Sequence, residues 1–352
     1  MPASPAKIFM ILNRGNYVFL GLVALYLLIC WRLSAAHGLE DSFHPVFYLD
    51  TGMVMTLSLA AFYGLGLALR AYYIMIFIRP ERLTAYLWQE FRSGPLRAER
   101  FLRALPLFIG MVFFLSAFTS MKQIIPGIHP FTWDETLLRW DRAIHFGIDP
   151  WRLLQPLLGY APVTWAVNLI YNLWLPALFV ALYWQALSLR SLQIRMQFFY
   201  SFILCWAING TFLAIAFSSV GPCFLERLNG NDHFLPLMDY LNGVNERYGL
   251  FAIMTQNMVW ESIAQKETMI GGGISAMPSV HVSTALLFLL TALKMKLRLW
   301  PCFAAFFAVI LLGSVHLGWH YAVDGYLAIL TTLGLWLLAG WLSRKMTSPE
   351  KS

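Results

Sequence analysis

Charge is scarce in this sequence. Of its 352 residues 12% are Asp, Glu, Lys or Arg and 59% are hydrophobic, against about 25% and roughly 45–50% in an ordinary soluble domain. A soluble globular protein is excluded on that ground. Cysteine is sparse as well: Cys30, Cys205, Cys223 and Cys302 form no disulfide framework and no thiol metal motif, and three of them lie inside apolar runs. Low-complexity tracts are missing, and 16% aromatic residues is the opposite of a disordered composition. Lys and Arg exceed Asp and Glu by 25 to 18, so the position of the charges decides whether this excess marks a nucleic-acid partner or a membrane topology.

What the chain has is apolar length. Crossing about 30 Å of hydrocarbon takes about 20 mostly apolar residues, and eight runs of that kind lie near residues 16–33, 52–78, 104–125, 161–187, 198–220, 276–293, 300–317 and 320–342. The last two are separated only by Leu317, Gly318 and Trp319, a tight hairpin. The fold class expected is therefore all-α, a polytopic membrane helix bundle of about eight transmembrane helices. With the N-terminus placed in the cytoplasm, the inner segments hold sixteen cations and four acids, and the outer half eight cations and fourteen acids, Arg70 being left within the second span. This follows the positive-inside rule with both termini cytoplasmic. The basic excess is thus a topology signal, and no nucleic-acid partner is expected. Ser34-Ala35-Ala36 loosely matches a signal cleavage site, but the aromatic-rich span from Tyr17 to Trp31 reads better as an anchor. The expected divisions are a two-helix segment with a basic loop over 1–103, a six-helix domain over 104–343 and a tail over 344–352. The long outer connections, 126–160 and 221–275, contain amphipathic stretches such as Trp133 to His145, expected to lie on the membrane surface.

Ionisable groups near a bilayer are functional candidates by default, and two segments concentrate them. Gly271-Gly272-Gly273-Ile274-Ser275-Ala276-Met277-Pro278-Ser279-Val280-His281 enters the sixth span, and His316-Leu317-Gly318-Trp319-His320-Tyr321-Ala322-Val323-Asp324 enters the eighth. Each opens a helix at the outer face, where free N–H groups and the dipole favour an anion. Pro278 suits the first helical position, which puts His281 in the first turn, and the glycines let backbone approach a ligand. His320 and Asp324, four apart, share a helix face, so Asp324 can set the tautomer of His320 and stabilise its positive charge. One imidazole can attack phosphorus while the other protonates the leaving oxygen. Such a site needs neither metal nor cofactor, and the outer face lacks an obvious carboxylate cluster for Mg²⁺ or Mn²⁺.

Through Met277-Pro278-Ser279-Val280-His281 and the His320-to-Asp324 spacing, the chain resembles the type 2 phosphatidic acid phosphatase superfamily. The resemblance implies a six-helix core, His320 as a nucleophile forming phosphohistidine, Asp324 orienting it, and His281 as general acid. Two phosphatase features are not intact. The one arginine-proline, Arg79-Pro80, has Tyr72 where lysine is expected and falls on the cytoplasmic side, and Gly313 and Ser314 occupy the serine-arginine positions upstream of His320. The departure resembles the transferase branch, including fungal inositol-phosphorylceramide synthase and animal sphingomyelin synthase, which share a histidine-tyrosine-any-two-aspartate motif like His320-Tyr321-Ala322-Val323-Asp324. A donor phosphodiester carries one charge where a monoester carries up to two, so fewer cations suffice. The Gly221-Pro222-Cys223-Phe224 turn is similar to bacterial members of that branch, so the inner membrane of a bacterium is the expected location, with lipid substrates and an active site at the outer face.

Several residues stay open on sequence grounds. Ser279 and Ser275 read as caps or turn formers, with Ser279, Gly273, His316 and Lys122 kept as candidate substrate or phosphate contacts. Lys122 is explained equally by snorkelling and by phosphate binding. Arg70 is expected to snorkel to the inner face. Asn168, Tyr171 and Asn172 form a polar patch suited to interhelical bonds or to substrate. Arg139, Arg142, Arg227, Arg247 and Lys266 are further sources of the missing cation. A lipid-phosphate phosphatase and a lipid transporter or scramblase are the competing functions.

Overall fold

The computed structural model describes residues 13–50, 52–265 and 272–347, and among these it is helical throughout, with no strand. Six helices are long and apolar enough to cross a membrane: Arg14–Ala36, Leu57–Ile78, Ala98–Ile128, Ala161–Leu187, Leu192–Ala216 and Ala322–Thr347. Val280–Lys294 and Trp300–His316 are shorter apolar helices. Together they stand at the eight places where the sequence carries apolar runs, and the chain is an all-α polytopic bundle.

The helices used below are α1 (Arg14–Ala36), α2 (Gly52–Tyr73), α3 (Leu83–Ser93), α4 (Ala98–Ile128), α5 (Asp134–Ile144), α6 (Pro150–Leu158), α7 (Ala161–Asn172), α8 (Trp174–Leu187), α9 (Leu192–Ala207), α10 (Leu235–Tyr248), α11 (Phe251–Gln265), α12 (Val280–Lys294), α13 (Trp300–His316) and α14 (Ala322–Thr347). Local signals set several starts. Asn13 accepts the Asn16 N–H at the start of α1 and Ser191 the Ile194 N–H at the start of α9, each side chain meeting a donor that the helix itself leaves free.

At the centre α9 packs most extensively on α14 and also touches α1 and α12. Its side chains are buried nearly all round, with Phe198, Phe199, Tyr200 and Phe202 at 0–1% exposure, as expected of a helix with no lipid-facing side. Polar groups join the bundle where apolar association has no aqueous driving force. Tyr26 Oη and Thr211 Oγ1 are 2.7 Å apart, Trp206 Nε1 donates to Thr284 Oγ1 at 3.0 Å, and Asn209 Nδ2 to Ser283 Oγ at 2.9 Å. Beyond α9 the helix widens into a π turn over Ile208–Phe212. Gly210 in that turn lies so close to its neighbours that a Cβ there would meet Phe118 Cε2 at 2.5 Å and Val280 Cγ2 at 2.8 Å. It lets α4 and the start of α12 converge beside the site.

The two ends of the bundle sort as the charges imply. At the basic end Arg100 Nη1 reaches Leu187 O at 2.9 Å and Gln185 Nε2 reaches Met295 Sδ at 3.3 Å. There Arg70 bonds Glu90 of α3 at 2.7 Å, which agrees with its expected reach towards that end. At the acid-rich end the backbone N–H of His44 donates to Ser120 Oγ and that of Cys223 to Gly318 O. The long connections on this side are themselves helical, as α5, α6, α10 and α11. The stretch around α5 departs from the surface helix expected. Asp134, Leu137 and Asp141, three residues on one face, are buried against the bundle, because both carboxylates have backbone donors to meet.

Gly210→Ala should lower the thermal midpoint in detergent. The gain in helix propensity is about 1 kcal/mol, whereas displacing Phe118 and Val280 costs roughly 1–3 kcal/mol. An unchanged or raised midpoint would show that this contact can relax freely.

Candidate active site

The site forms where α12 and α14 begin side by side. Ser279 caps α12, its Oγ accepting the Val282 N–H at 3.4 Å, so Pro278 lies one residue before the cap instead of at the first helical position. His281 is still in the first turn, as the second residue of α12. The link between α13 and α14 runs over residues 317–321, and α14 begins at Ala322. His320 therefore sits in the link and not on the last helix. The spacing nonetheless delivers the expected pair, because the chain turns into the helix here: His320 Nδ1 is 3.2 Å from Asp324 Oδ2. That oxygen also accepts the Tyr321 N–H at 3.0 Å.

On its other side, His320 Nε2 is 3.1 Å from Ser279 Oγ. With Nδ1–H donating to Asp324, Nε2 carries the lone pair and the Ser279 hydroxyl donates to it, while accepting from Val282. His320 is 6% exposed and Asp324 fully buried. The His281 ring lies 6.1 Å from that of His320, centroid to centroid. It is held between two aromatic rings, stacked on Tyr171 at 5.3 Å and against Trp174 at 4.1 Å. Trp174 Nε1 also donates to His281 O at 3.2 Å.

Both imidazoles open into one cavity of about 280 Å³. Its far walls are apolar, from Leu115 and Phe118 of α4 and Leu175, Leu178 and Phe179 of α8. Lys122, at the acid-rich end of α4, also lines it and is within electrostatic reach of both histidines. Among the described residues Lys122 is the one cation lining this cavity. Gly273, at φ 81°, lies on the Lys122 backbone so closely that a Cβ would come within 2.7 Å of its carbonyl. Glycine is needed there twice over. Ser275 lines the cavity too.

Other candidates are not brought to it. His316 is fully buried, its Nε2 2.9 Å from Thr164 Oγ1, which in turn lies 2.6 Å from Tyr240 Oη. This network ties α13 to α7 and α10 and stands outside the cavity lining. Arg79 is exposed and bonds Ile76 O. Arg139 bonds Thr136, Arg142 bonds Gly147 O and Arg227 bonds Asn257, while Arg247 is exposed; none of the four lines the cavity. Lys266 and Gly271 lie outside the described residues. The polar patch on α7 divides: Asn168 Oδ1 accepts the Ala252 N–H of α11 at 2.9 Å, while Tyr171 and Asn172 line the cavity.

Two residues that support the site were not singled out from the sequence. Asp134 accepts the N–H groups of Val220 at 3.0 Å and Gly221 at 2.9 Å, and the Tyr321 hydroxyl at 3.0 Å. Asp141 accepts those of Ala322 and Val323, both at 2.8 Å. The start of α14, expected to face an anion, is therefore already met by a carboxylate of the protein itself. Their signal was available: two acids seven apart on one face of an amphipathic segment, with Leu137 between them. Burial pushes the Asp141 carboxyl up to about 6 against the pull of its two N–H donors, and raises that of Asp134 in the same way. Gly221, at φ 88°, completes the support, since a Cβ there would meet Trp319 O at 2.6 Å.

A histidine oriented by a buried carboxylate, with a second histidine across a shared cavity, is an arrangement suited to nucleophilic group transfer with acid–base assistance. Residues 135–338 match the sequence model of the PAP2 superfamily, and the chain belongs to that superfamily, whose members are phosphatases and phosphotransferases. Neither the curated proteins nor the solved structures contain a significant match.

A carboxyl whose folded pKa is raised stabilises the fold only while protonated, so the contribution of Asp141 falls as pH rises from about 4 through about 6 and is level above. Wild type should accordingly lose more thermal stability between pH 5 and pH 7.5 than Asp141→Asn does. Equal losses in the two melting series would mean that Asp141 does not titrate in this range.

Proposed function

We propose that the protein is a membrane lipid phosphotransferase, moving a phosphate-containing headgroup from a phospholipid donor to a lipid or polyol hydroxyl at the outer face. The observation that carries this reading is a cavity holding His320 with its Asp324 partner, His281 and, among the described residues, a single lysine and no arginine. Membership of the superfamily supports phosphoryl chemistry on lipids, and the apolar α4 and α8 walls suit an acyl-bearing substrate. The resemblance to the transferase branch supports the choice of an alcohol over water as acceptor. The charge distribution supports cytoplasmic termini and an outward-facing cavity in a bacterial inner membrane.

In the first step the Nε2 lone pair of His320 bonds to phosphorus as the bond from phosphorus to the leaving alcohol oxygen breaks. His281 delivers a proton to that oxygen, and Asp324 stabilises the cationic ring. In the second step the acceptor hydroxyl passes its proton to His281 while its oxygen bonds to phosphorus and the P–N bond breaks, restoring His320. Ser279, at the Nε2 atom, is placed to hand over its hydrogen bond as phosphorus arrives.

The test is incubation of purified protein in detergent with a headgroup-labelled phospholipid extract, with and without ceramide, diacylglycerol or inositol. A labelled product that needs both an acceptor and His320 is expected, with His320→Ala reducing it by at least about a thousandfold, as for other essential nucleophiles. Steady phosphate release from a monoester, unaffected by added alcohol, would make the protein a phosphatase instead. EDTA should leave the rate unchanged and vanadate should inhibit it; loss of activity in EDTA would sink the histidine-only mechanism.

A further inference from the structure

The turn between α5 and α6 carries the most exposed large apolar side chain among the described residues, Phe146, at 95%. Its backbone lies at φ 58°, and Gly147 follows at φ 80°. That region favours glycine, asparagine or aspartate, and a bulky side chain there is an outlier. The turn is nonetheless held firmly. The Gly147 N–H donates to Arg142 O at 2.7 Å, Arg142 Nε to Gly147 O at 3.1 Å, and the Ile148 N–H to His145 O at 3.0 Å. Backbone geometry thus disfavours phenylalanine at this position, and no packing within the protein rewards it. Its ring answers to something outside the chain.

The surroundings say what that is. His145 Nε2 and Tyr326 Oη are 2.8 Å apart, which lays the turn against the fifth residue of α14, about 6 Å below the helix start. Tyr326 heads a stripe on this membrane-crossing helix that continues through Leu330 and Leu337, all exposed on the outside of the bundle. On the other flank α6 leads, through exposed Leu157 and Tyr160, into the span Ala161–Leu187. The apolar turn is therefore continuous with lipid-facing surface on both sides. Exposed Arg139, Arg142, Arg152 and Trp140 edge it. Guanidinium groups and an indole beside apolar side chains are the pattern of a segment lying at the headgroup boundary.

We infer that the α5–α6 hairpin is seated in the bilayer leaflet at the acid-rich end, with Phe146, Ile144, Leu153 and Leu157 among the upper acyl chains, and that this seat braces the helix start next to His320. Helix α5 serves both sides. Ile144 and the turn beyond it meet lipid, while Asp141 accepts the Ala322 and Val323 N–H groups and Asp134 the Tyr321 hydroxyl. A displacement of the tip is passed along α5 to the residues that follow His320. The seat is independent of which reaction the cavity performs.

The test places a nitrobenzoxadiazole probe on full-length protein in phosphatidylcholine–phosphatidylglycerol vesicles, with Cys302, the exposed cysteine, replaced by serine. The probe is carried by Phe146→Cys, by Leu330→Cys as the lipid-facing reference, or by Glu246→Cys, exposed on α10, as the aqueous reference. At Phe146 lipid spin-labelled near the headgroup should quench at least about half as strongly as at Leu330, and iodide about threefold less than at Glu246. Iodide quenching equal to that at Glu246, with none by labelled lipid, would overturn the seat. So would protection from both quenchers with cross-linking of Phe146→Cys between copies, which would make a second copy of the chain the partner. For the brace, amide exchange at residues 321–323 is followed in the same vesicles. Phe146→Asp suits the positive φ better than phenylalanine and removes no packing, so its melting midpoint in detergent should hold. In vesicles it should speed exchange at these amides about threefold or more, while Phe146→Leu leaves it at the wild-type rate. Unchanged exchange in Phe146→Asp would overturn the brace. None of these measurements uses turnover, so failure of the phosphotransferase reading would leave them as they stand.

Discussion

Three acidic side chains hold the short link that carries His320 and the helix start that follows it, by accepting backbone N–H groups and the Tyr321 hydroxyl. Asp324 takes that of Tyr321, Asp141 those of Ala322 and Val323, and Asp134 those of the neighbouring Val220–Gly221 turn together with the Tyr321 hydroxyl. A link between two apolar helices would otherwise bury these donors, each at a cost comparable to the gain from a good packing contact. Helix α5 exists in its observed position because two of these acids are on it. His320 is thus placed by hydrogen bonds from acids on both α5 and α14, and its orientation does not depend on a single helix.

The rest of the site follows from economy of charge. His281 is steadied by Tyr171 and Trp174, whose rings pack on its imidazole while the Trp174 indole N–H holds its backbone carbonyl, and none of this needs an ionised partner. Gly273 and Gly221 bring backbone, not side chains, up to Lys122 and Trp319. In a region where every unpaired charge is expensive, geometry is enforced by rings, glycines and peptide donors. Asp324 and Lys122 are the acidic and basic side chains other than histidine that stand close to the two imidazoles among the described residues.

Much of this was legible in the sequence, for reasons that can be named. The apolar runs report helix positions because hydrocarbon thickness imposes their length, and all eight have a helix. The His320–Asp324 spacing survives although His320 precedes the helix, since a four-residue separation closes across a helix start as well as along a turn. What was not legible depends on partners distant in sequence. Asp134 and Asp141 look like the solvent face of an amphipathic helix until the donors at 220–221 and 322–323 are seen to lie beneath them. His316 looks like a companion to His320, and only the Thr164–Tyr240 pair, some 75 to 150 residues upstream, shows where it is spent. For Lys122 the sequence offered snorkelling or phosphate binding with equal force, and the approach of Gly273 to its backbone decides where that helix end sits.

One boundary in the chain takes on meaning from the way the cavity is built. The region shared with the superfamily begins at residue 135, yet Tyr48, Leu115, Phe118, Thr119 and Lys122, which line the same cavity as the histidines, all precede it. The two histidines and the α4 side of the cavity wall therefore belong to different stretches of sequence, while the α8 side of the wall lies within the shared region. Two relatives with identical histidine motifs can then differ in what they accept, and similarity confined to the shared region is a guide to chemistry more than to substrate.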